Sequence, residues 1–245
     1  MKHKHVSQNS NFIYGRIPVK SSIEANKVKK ILVQNNFSDE SLLKLAQQKN
    51  VTIEYVDQYK LATFSKNGNH QGVVAEVEPY QYSTLNEILK GCEGKKQPLI
   101  LILDEIEDPH NLGAIIRSCD AFGVDGIILK NRNQVQINMT VVKVSTGAID
   151  HVRICQVSNL SNAIRALKDA GFWIYASDGS AKTEYNQLDY KGPTALIVGS
   201  EGNGISKLVL ENSDFIVKIP MLGHVNSLNV SVATGILLSN IRSSK

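Results

Sequence analysis

Three stretches of this 245-residue chain set Asn, Ser, Glu and Arg beside apolar runs and glycines. The first is DEIEDPHNLGAIIRSCDAFG, residues 104–123. Asp108-Pro109 makes a turn there, and Asn111 is placed to cap a helix that carries Arg117. A helix N-terminus offers free N–H groups to an anion such as phosphate. Arg117 follows Leu112, Ile115 and Ile116, so a half-buried guanidinium in need of a partner is expected, and RNA phosphate would serve. A plain cap with a structural ion pair explains the same residues. The second stretch, IVGSEGNGIS, spans residues 197–206. Gly199, Gly202 and Gly204 permit close backbone approach, and Glu201 sits among them. The spacing is not that of a dinucleotide fingerprint, and no phosphate-loop Lys-Ser/Thr follows. A carboxylate here disfavours a pyrophosphate and suits a cofactor without phosphates. A tight strand-to-helix turn is the simpler alternative. The third, IPMLGHVNSLNVSVATGILL, spans residues 219–238. Pro220 ends a strand, a helix begins near Leu228, and Asn226, Ser227, Asn229 and Ser231 crowd its entrance. Ser227 as a cap would not explain that density, because polar groups beside an apolar helix need partners.

The elements that position these stretches are readable from apolar patterning. Leu99 to Leu103 are five consecutive apolar residues, the mark of a strand buried on both faces of a parallel sheet. Further strands are expected at 126–129, 152–155, 172–177, 195–199 and 215–219, with helical patterns between most of them. Such alternation predicts an α/β fold with a parallel sheet covered by helices, and ligands gather beyond the C-terminal ends of its strands. A smaller α/β domain precedes it and ends near Pro79. Its helix carries Pro18 in the first turn and runs through Ala25. Strands follow at 30–33, 51–56 and 72–77, and Ser38 is placed to cap a second helix. Residues 80–97 read as a linker holding a short helix, 84–90.

Hydrophobic residues make up 42% and charged residues 20% of the chain, which is the composition of a folded protein. Residues 1–97 hold 14 Lys+Arg against 9 Asp+Glu, while residues 98–245 hold 13 against 14. The basic excess therefore lies in the first part, as expected of a polyanion-binding region or of a merely solubilising surface. Cys92, Cys119 and Cys155 fit no metal knuckle or disulfide framework and are expected to be reduced thiols in a cytoplasmic protein. The polar residues 1–11 read as disordered and lack a signal core, and no apolar run is long enough to span a membrane.

Taken together, the three stretches resemble motifs one, two and three of the SpoU family of RNA ribose methyltransferases, in the SPOUT superfamily. VVKVSTGA, at 141–148, resembles a further family segment. YGRIPV (14–19) and NHQGVVAEV (69–77) resemble the family's substrate-binding domain, which is similar to the ribosomal-protein L30e fold. The likeness runs from about Tyr14 to the C-terminus and is strongest to the branch that methylates a guanosine of 23S rRNA in the peptidyl-transferase loop. It implies an RNA substrate-binding domain at 1–79, a linker at 80–97 and a trefoil-knotted methyltransferase domain at 98–245. It implies S-adenosylmethionine as cofactor, no metal, and a homodimer whose sites draw on both subunits. Catalytic positions fall on Asn111, Arg117, Glu201, Ser227 and Asn229. Cofactor contacts fall on Gly199, Ile219, Met221 and Leu228. Phe122 stands where the family often has a small residue, and His224 where a basic one is common. A tRNA ribose methyltransferase, a non-catalytic RNA-binding or ribosome-assembly protein and a nucleotide-dependent α/β enzyme remain as alternatives. The absent phosphate loop weighs against the last.

Overall fold

The computed structural model describes residues 11–65 and 67–243. These divide after Gln81 into two compact units. The stretch read as disordered lies outside the described residues except for Asn11, which opens a strand.

The first unit runs β1 (Asn11–Tyr14), α1 (Arg16–Glu24), β2 (Val28–Gln34), α2 (Glu40–Gln48), β3 (Thr52–Val56), α3 (Gln58–Phe64) and β4 (Val73–Val77). The sheet order is β1-β4-β2-β3, with β2 and β3 parallel and the other pairs antiparallel. Ile31, Leu32 and Val33 are consecutive and all buried, so β2 is covered on both faces. Leu32, Val56 and Val74 pack with Leu61 of α3. The cap of α2 is Asp39 rather than Ser38: its carboxylate accepts the Leu42 N–H at 3.1 Å. A carboxylate takes that N–H as a charge-assisted bond, and its reach matches the third helical residue. β1 and α3 carried too few periodic apolar residues to be expected from the sequence.

The second unit begins with α4 (Leu85–Cys92), on the stretch read as a linker. Thr84 and Glu87 form a reciprocal capping box at its start. Ile88 and Cys92 are buried in the same cluster as Ile100, Ile102 and Ile164, so this helix is part of the core. Then follow β5 (Leu99–Asp104), α5 (Pro109–Ala121), β6 (Gly126–Lys130), α6 (Met139–Ser145), a 3-10 turn (Ala148–Asp150), β7 (Ile154–Val157), α7 (Leu160–Asp169), β8 (Trp173–Ser177), β9 (Thr183–Glu184), a second 3-10 turn (Tyr185–Gln187), β10 (Thr194–Gly199), α8 (Lys207–Glu211), β11 (Phe215–Lys218) and α9 (Val230–Ser243).

All pairings in this seven-stranded sheet are parallel, in the order β7-β6-β5-β10-β8-β11-β9. Every residue of β5 is buried, as its unbroken apolar run requires. β10 lies beside β5 with Gly199 opposite Asp104, so the loops that leave these two strands emerge side by side. α9 packs along α5. At its far end Arg242 donates to the carbonyls of Gln97 (2.8 Å) and Phe122 (2.8 Å), fixing the last helix to both the start of β5 and the end of α5.

Candidate active site at the C-terminal edge of the parallel sheet

The three stretches meet at the N-terminus of α9. Asp108, not Asn111, caps α5: its carboxylate accepts the His110 N–H at 2.9 Å, with Pro109 in the first turn. Asn111 is thereby displaced one turn inward, and its Oδ1 accepts from Asn229 Nδ2 at 2.8 Å. The same Nδ2 donates to Glu201 Oε1 at 2.6 Å. On its other side Asn229 Oδ1 accepts the Ser231 N–H at 3.0 Å and the Ser231 hydroxyl at 2.5 Å. Asn229 is thus the cap of α9, which starts at Val230 and not near Leu228. With two acceptors on one side and two donors on the other, its amide orientation is determined by the network. Asn111, as acceptor, keeps its own NH₂ out of this bond.

Glu201 has a second task. Its Oε1 also accepts the Val230 N–H at 3.1 Å. A carboxylate there satisfies a free helix donor and lies at the positive end of the helix dipole. Glu201 reaches α9 because its loop is folded back on itself. Ser200 and Gly204 exchange backbone hydrogen bonds at 3.1 and 2.9 Å. A Cβ on Gly199 would lie 2.1 Å from the Gly204 carbonyl oxygen, so glycine is required by the chain's own return. The Ser206 N–H donates to Asp104 Oδ2 at 2.9 Å and anchors the loop's exit to the end of β5.

Asp104 was not among the expected site residues. It is 1% exposed, and Lys130 Nζ stands 3.5 Å from its Oδ1. Burial works against the Lys130 charge, but Glu105 at 2.7 Å and Asp104 outweigh it and raise its pKa. The available signal was a carboxylate directly after five apolar residues at a strand's C-terminal end.

Arg117 is exposed, contrary to the half-buried guanidinium expected. The apolar residues beside it in sequence face inward, while Arg117 lies on the outer side of α5. Among the described residues it makes no hydrogen bond or ion pair, so the structure does not join it to the Asn111–Asn229–Glu201 junction. Ser227 is exposed and likewise unbonded among the described residues. Ile219, Met221 and Leu228 are half-buried along the segment that leads into α9. Among the described residues no backbone group of 220–228 is hydrogen-bonded. That leaves a run of N–H and C=O groups beside half-buried apolar side chains, with Glu201 the carboxylate of the neighbouring loop. Such a donor set fits a cationic, phosphate-free cofactor bearing an aromatic base.

The three cysteines are free and buried. Burial pushes the Cys92 thiol up to about 11 and Cys155 up to about 12, and raises Cys119 as well, so none is a thiolate nucleophile near neutral pH. Among the described residues no three His, Cys, Asp or Glu side chains converge to hold a metal. No helix of the described residues is long and apolar enough to cross a membrane.

Two family models match the chain: the SpoU rRNA methylase family over residues 98–239, and RNA 2'-O ribose methyltransferase substrate binding over residues 12–83. The chain belongs to the SpoU rRNA methylase family. It is 40% identical over 241 residues to YacO of Bacillus subtilis, which is named for the TrmH family of tRNA/rRNA methyltransferases, with 96% of each chain covered. A Staphylococcus aureus protein named for the same family is 42% identical over 94% of each chain. Among solved structures, an AdoMet-bound rRNA methyltransferase from Sinorhizobium meliloti matches with a TM-score of 0.73 and 27% identity, covering 96% of this chain and 87% of that one. The A. aeolicus TrmH/SpoU tRNA modifying enzyme matches with a TM-score of 0.56 and 34% identity, covering 65% of this chain and 81% of that one. This SpoU/TrmH-family chain is therefore an RNA methyltransferase with an N-terminal substrate-binding unit, and not a nucleotide-dependent enzyme of another class.

Proposed function

We propose that this chain methylates a ribose 2'-hydroxyl of RNA, on a guanosine of 23S rRNA in the peptidyl-transferase loop. The observation that carries the reading is the convergence of Asn111, Asn229 and Glu201 from three remote stretches at one strand edge. The rRNA target is supported by the Sinorhizobium meliloti rRNA methyltransferase, whose likeness extends over 96% of this chain. The tRNA modifying enzyme covers 65% of it. A tRNA target is the second reading, favoured by that enzyme's higher identity of 34%.

S-adenosylmethionine is the cofactor, and when bound it supplies an activated methyl group that needs no metal. Ile219, Met221 and Leu228 flank the backbone that would hold it, with Gly199 at the base of the neighbouring loop. The chain's own residues handle the ribose. Asn111, its Oδ1 held by Asn229, offers its NH₂ to the ribose or an adjacent phosphate. Glu201 fixes Asn229 and the start of α9. Arg117 clamps the 2'-oxygen or a phosphate and stabilises developing negative charge. A guanidinium stays protonated, so a phosphate oxygen or water takes the hydroxyl proton. Ser227 contacts RNA or supports its loop.

An exposed Arg117 with no partner among the described residues accords with a homodimer in which it serves the other subunit's site. The outer face of α9 accords with the same assembly. Val232 is 51% exposed there, beside Gly235, Ile236 and Tyr185 in a shallow groove. The insertion of β10 between β5 and β8, with α9 returning to α5, accords with a trefoil knot. Three buried free thiols accord with a cytoplasmic protein. The test is methyl transfer from labelled cofactor to separate rRNA and tRNA pools, with the modified ribose mapped. Methylation confined to tRNA overturns the rRNA target, and base methylation overturns the ribose. Arg117→Ala is expected to abolish transfer with cofactor binding near normal.

A further inference from the structure

The geometry points to a pocket in the N-terminal unit, lined by Arg16, Phe37 and His70, that takes one unpaired nucleotide of the substrate RNA. This rests on the reading above that RNA is the substrate, and adds where and how this unit grips it.

YGRIPV and NHQGVVAEV, more than fifty residues apart, are stitched together here. The Gly15 N–H donates to the Val73 carbonyl at 3.2 Å, and the Arg16 N–H to Gln71 Oε1 at 3.0 Å. The Gln34 N–H donates to the Gly72 carbonyl at 2.9 Å, which brings Phe37 to the same rim. Gln71 (φ 51°) and Gly72 (φ 81°) are successive left-handed residues. A Cβ at Gly72 would lie 3.0 Å from Phe37 Cδ2. Strained backbone of this kind clusters at ligand sites.

The cavity so formed measures about 710 Å³, within the range of small-molecule sites, and no carboxylate lines it. Its walls carry the amides of Asn36, Asn69 and Gln71. Side-chain amides offer the paired donors and acceptors that read the edge of a base. The Arg16 guanidinium carbon stands 5.3 Å from the Phe37 ring centroid, so two flat groups form a stacking platform. His70 Nδ1 accepts the Gly72 N–H at 3.1 Å, so in the neutral ring Nε2 carries the proton and donates. Asp39 touches Arg16 at 3.9 Å from outside the lining.

Charge separates this from a backbone-binding surface. Residues 1–81 hold 11 Lys+Arg against 7 Asp+Glu, but among the residues that line the pocket Arg16 is the one Lys or Arg. The lysines are largely paired: Lys29 with Glu78 at 3.5 Å, Lys30 with Glu54 at 3.2 Å, Lys44 with Glu40 at 3.6 Å and Lys60 with Glu54 at 2.6 Å. A polar, aromatic-floored pocket whose one guanidinium already lies over Phe37 is built to read a base rather than a phosphate.

The test uses the full chain and labelled rU, rA, rC and rG hexamers, with a 12-base-pair RNA duplex as control. Single-stranded hexamers are expected to bind more tightly than the duplex. Phe37→Leu and His70→Ala are expected to weaken hexamer binding about tenfold. The salt dependence keeps its slope, because no phosphate contact is lost. S-adenosylmethionine binding stays as in the wild type. Asn69→Ala, at an exposed loop position, gives the same reading if Phe37→Leu fails to fold. Hexamer affinity unchanged in all the folded variants, a reduced salt slope, or equal duplex binding overturns the pocket. If the wild type methylates RNA while folded variants bind hexamers normally, the pocket alone is wrong. If hexamer binding depends on the pocket but the wild type transfers no methyl, the proposed function alone is wrong.

Discussion

Glu201 and Asn229, 28 residues apart, share a 2.6 Å hydrogen bond that ties the glycine-rich loop after β10 to the cap of α9. Asn229 passes that constraint to Asn111, 118 residues away, through the same amide nitrogen. One side chain therefore coordinates three loops, and its own cap geometry depends on both partners.

Glu201→Ala removes the acceptor of both Asn229 and the Val230 N–H. A lost cap of this kind costs about 1–2 kcal/mol, read as a lower denaturant midpoint. Methyl transfer is expected to fall further than stability, since Asn111 loses its register. Asn229→Asp is expected to be worse than Asn229→Ala, because it sets a second carboxylate against Glu201. Equal activity in Asn229→Asp and wild type would remove Asn229 from the site.

Asp104 holds the exit of the same loop through Ser206 and faces Lys130 in a buried position. Asp104→Ala leaves the Ser206 N–H without its acceptor, at a cost of about 1–3 kcal/mol, while Lys130 keeps Glu105. Calorimetric titration is expected to show weaker S-adenosylmethionine binding, with hexamer binding by the N-terminal unit unchanged. Normal cofactor affinity in a folded variant would assign Asp104 to stability alone.

The thiols make stability fall at alkaline pH. Folding raises Cys92 to about 11 and Cys155 to about 12 from an ordinary value of 9.0, because burial disfavours the thiolate. The unfolded chain loses these protons first, so the contribution is full below pH 9 and is lost as pH rises toward 11–12. The urea midpoint is expected to drop between pH 8 and pH 10.5, and Cys155→Ala should reduce that drop. At pH 8 a thiol reagent should label none of the three rapidly until the protein is unfolded. Rapid labelling of the native chain would contradict their burial.

The sequence by itself determined the class of fold and the neighbourhood of the site. Apolar runs such as Leu99–Leu103 demand burial on two faces, and glycines such as Gly199 mark close backbone approach; both are local signals. Two capping assignments slipped within the local pattern, Asp39 for Ser38 and Asp108 for Asn111, because a carboxylate one residue later in the first case and three earlier in the second took the free helix N–H. Ionic pairing was less legible still. The basic excess looked like a surface for polyanions, yet Lys29 and Lys30 of β2 and Lys60 of α3 meet Glu78 and Glu54, which only folding brings alongside. Only the tertiary structure decided that β10 lies between β5 and β8, that Asn229 bridges Asn111 and Glu201, that Asp104 anchors Ser206 across 102 residues, and that Arg117 faces outward. These are contacts between remote segments, set by the packing of α9 on α5 and by strand order, which no local spacing encodes.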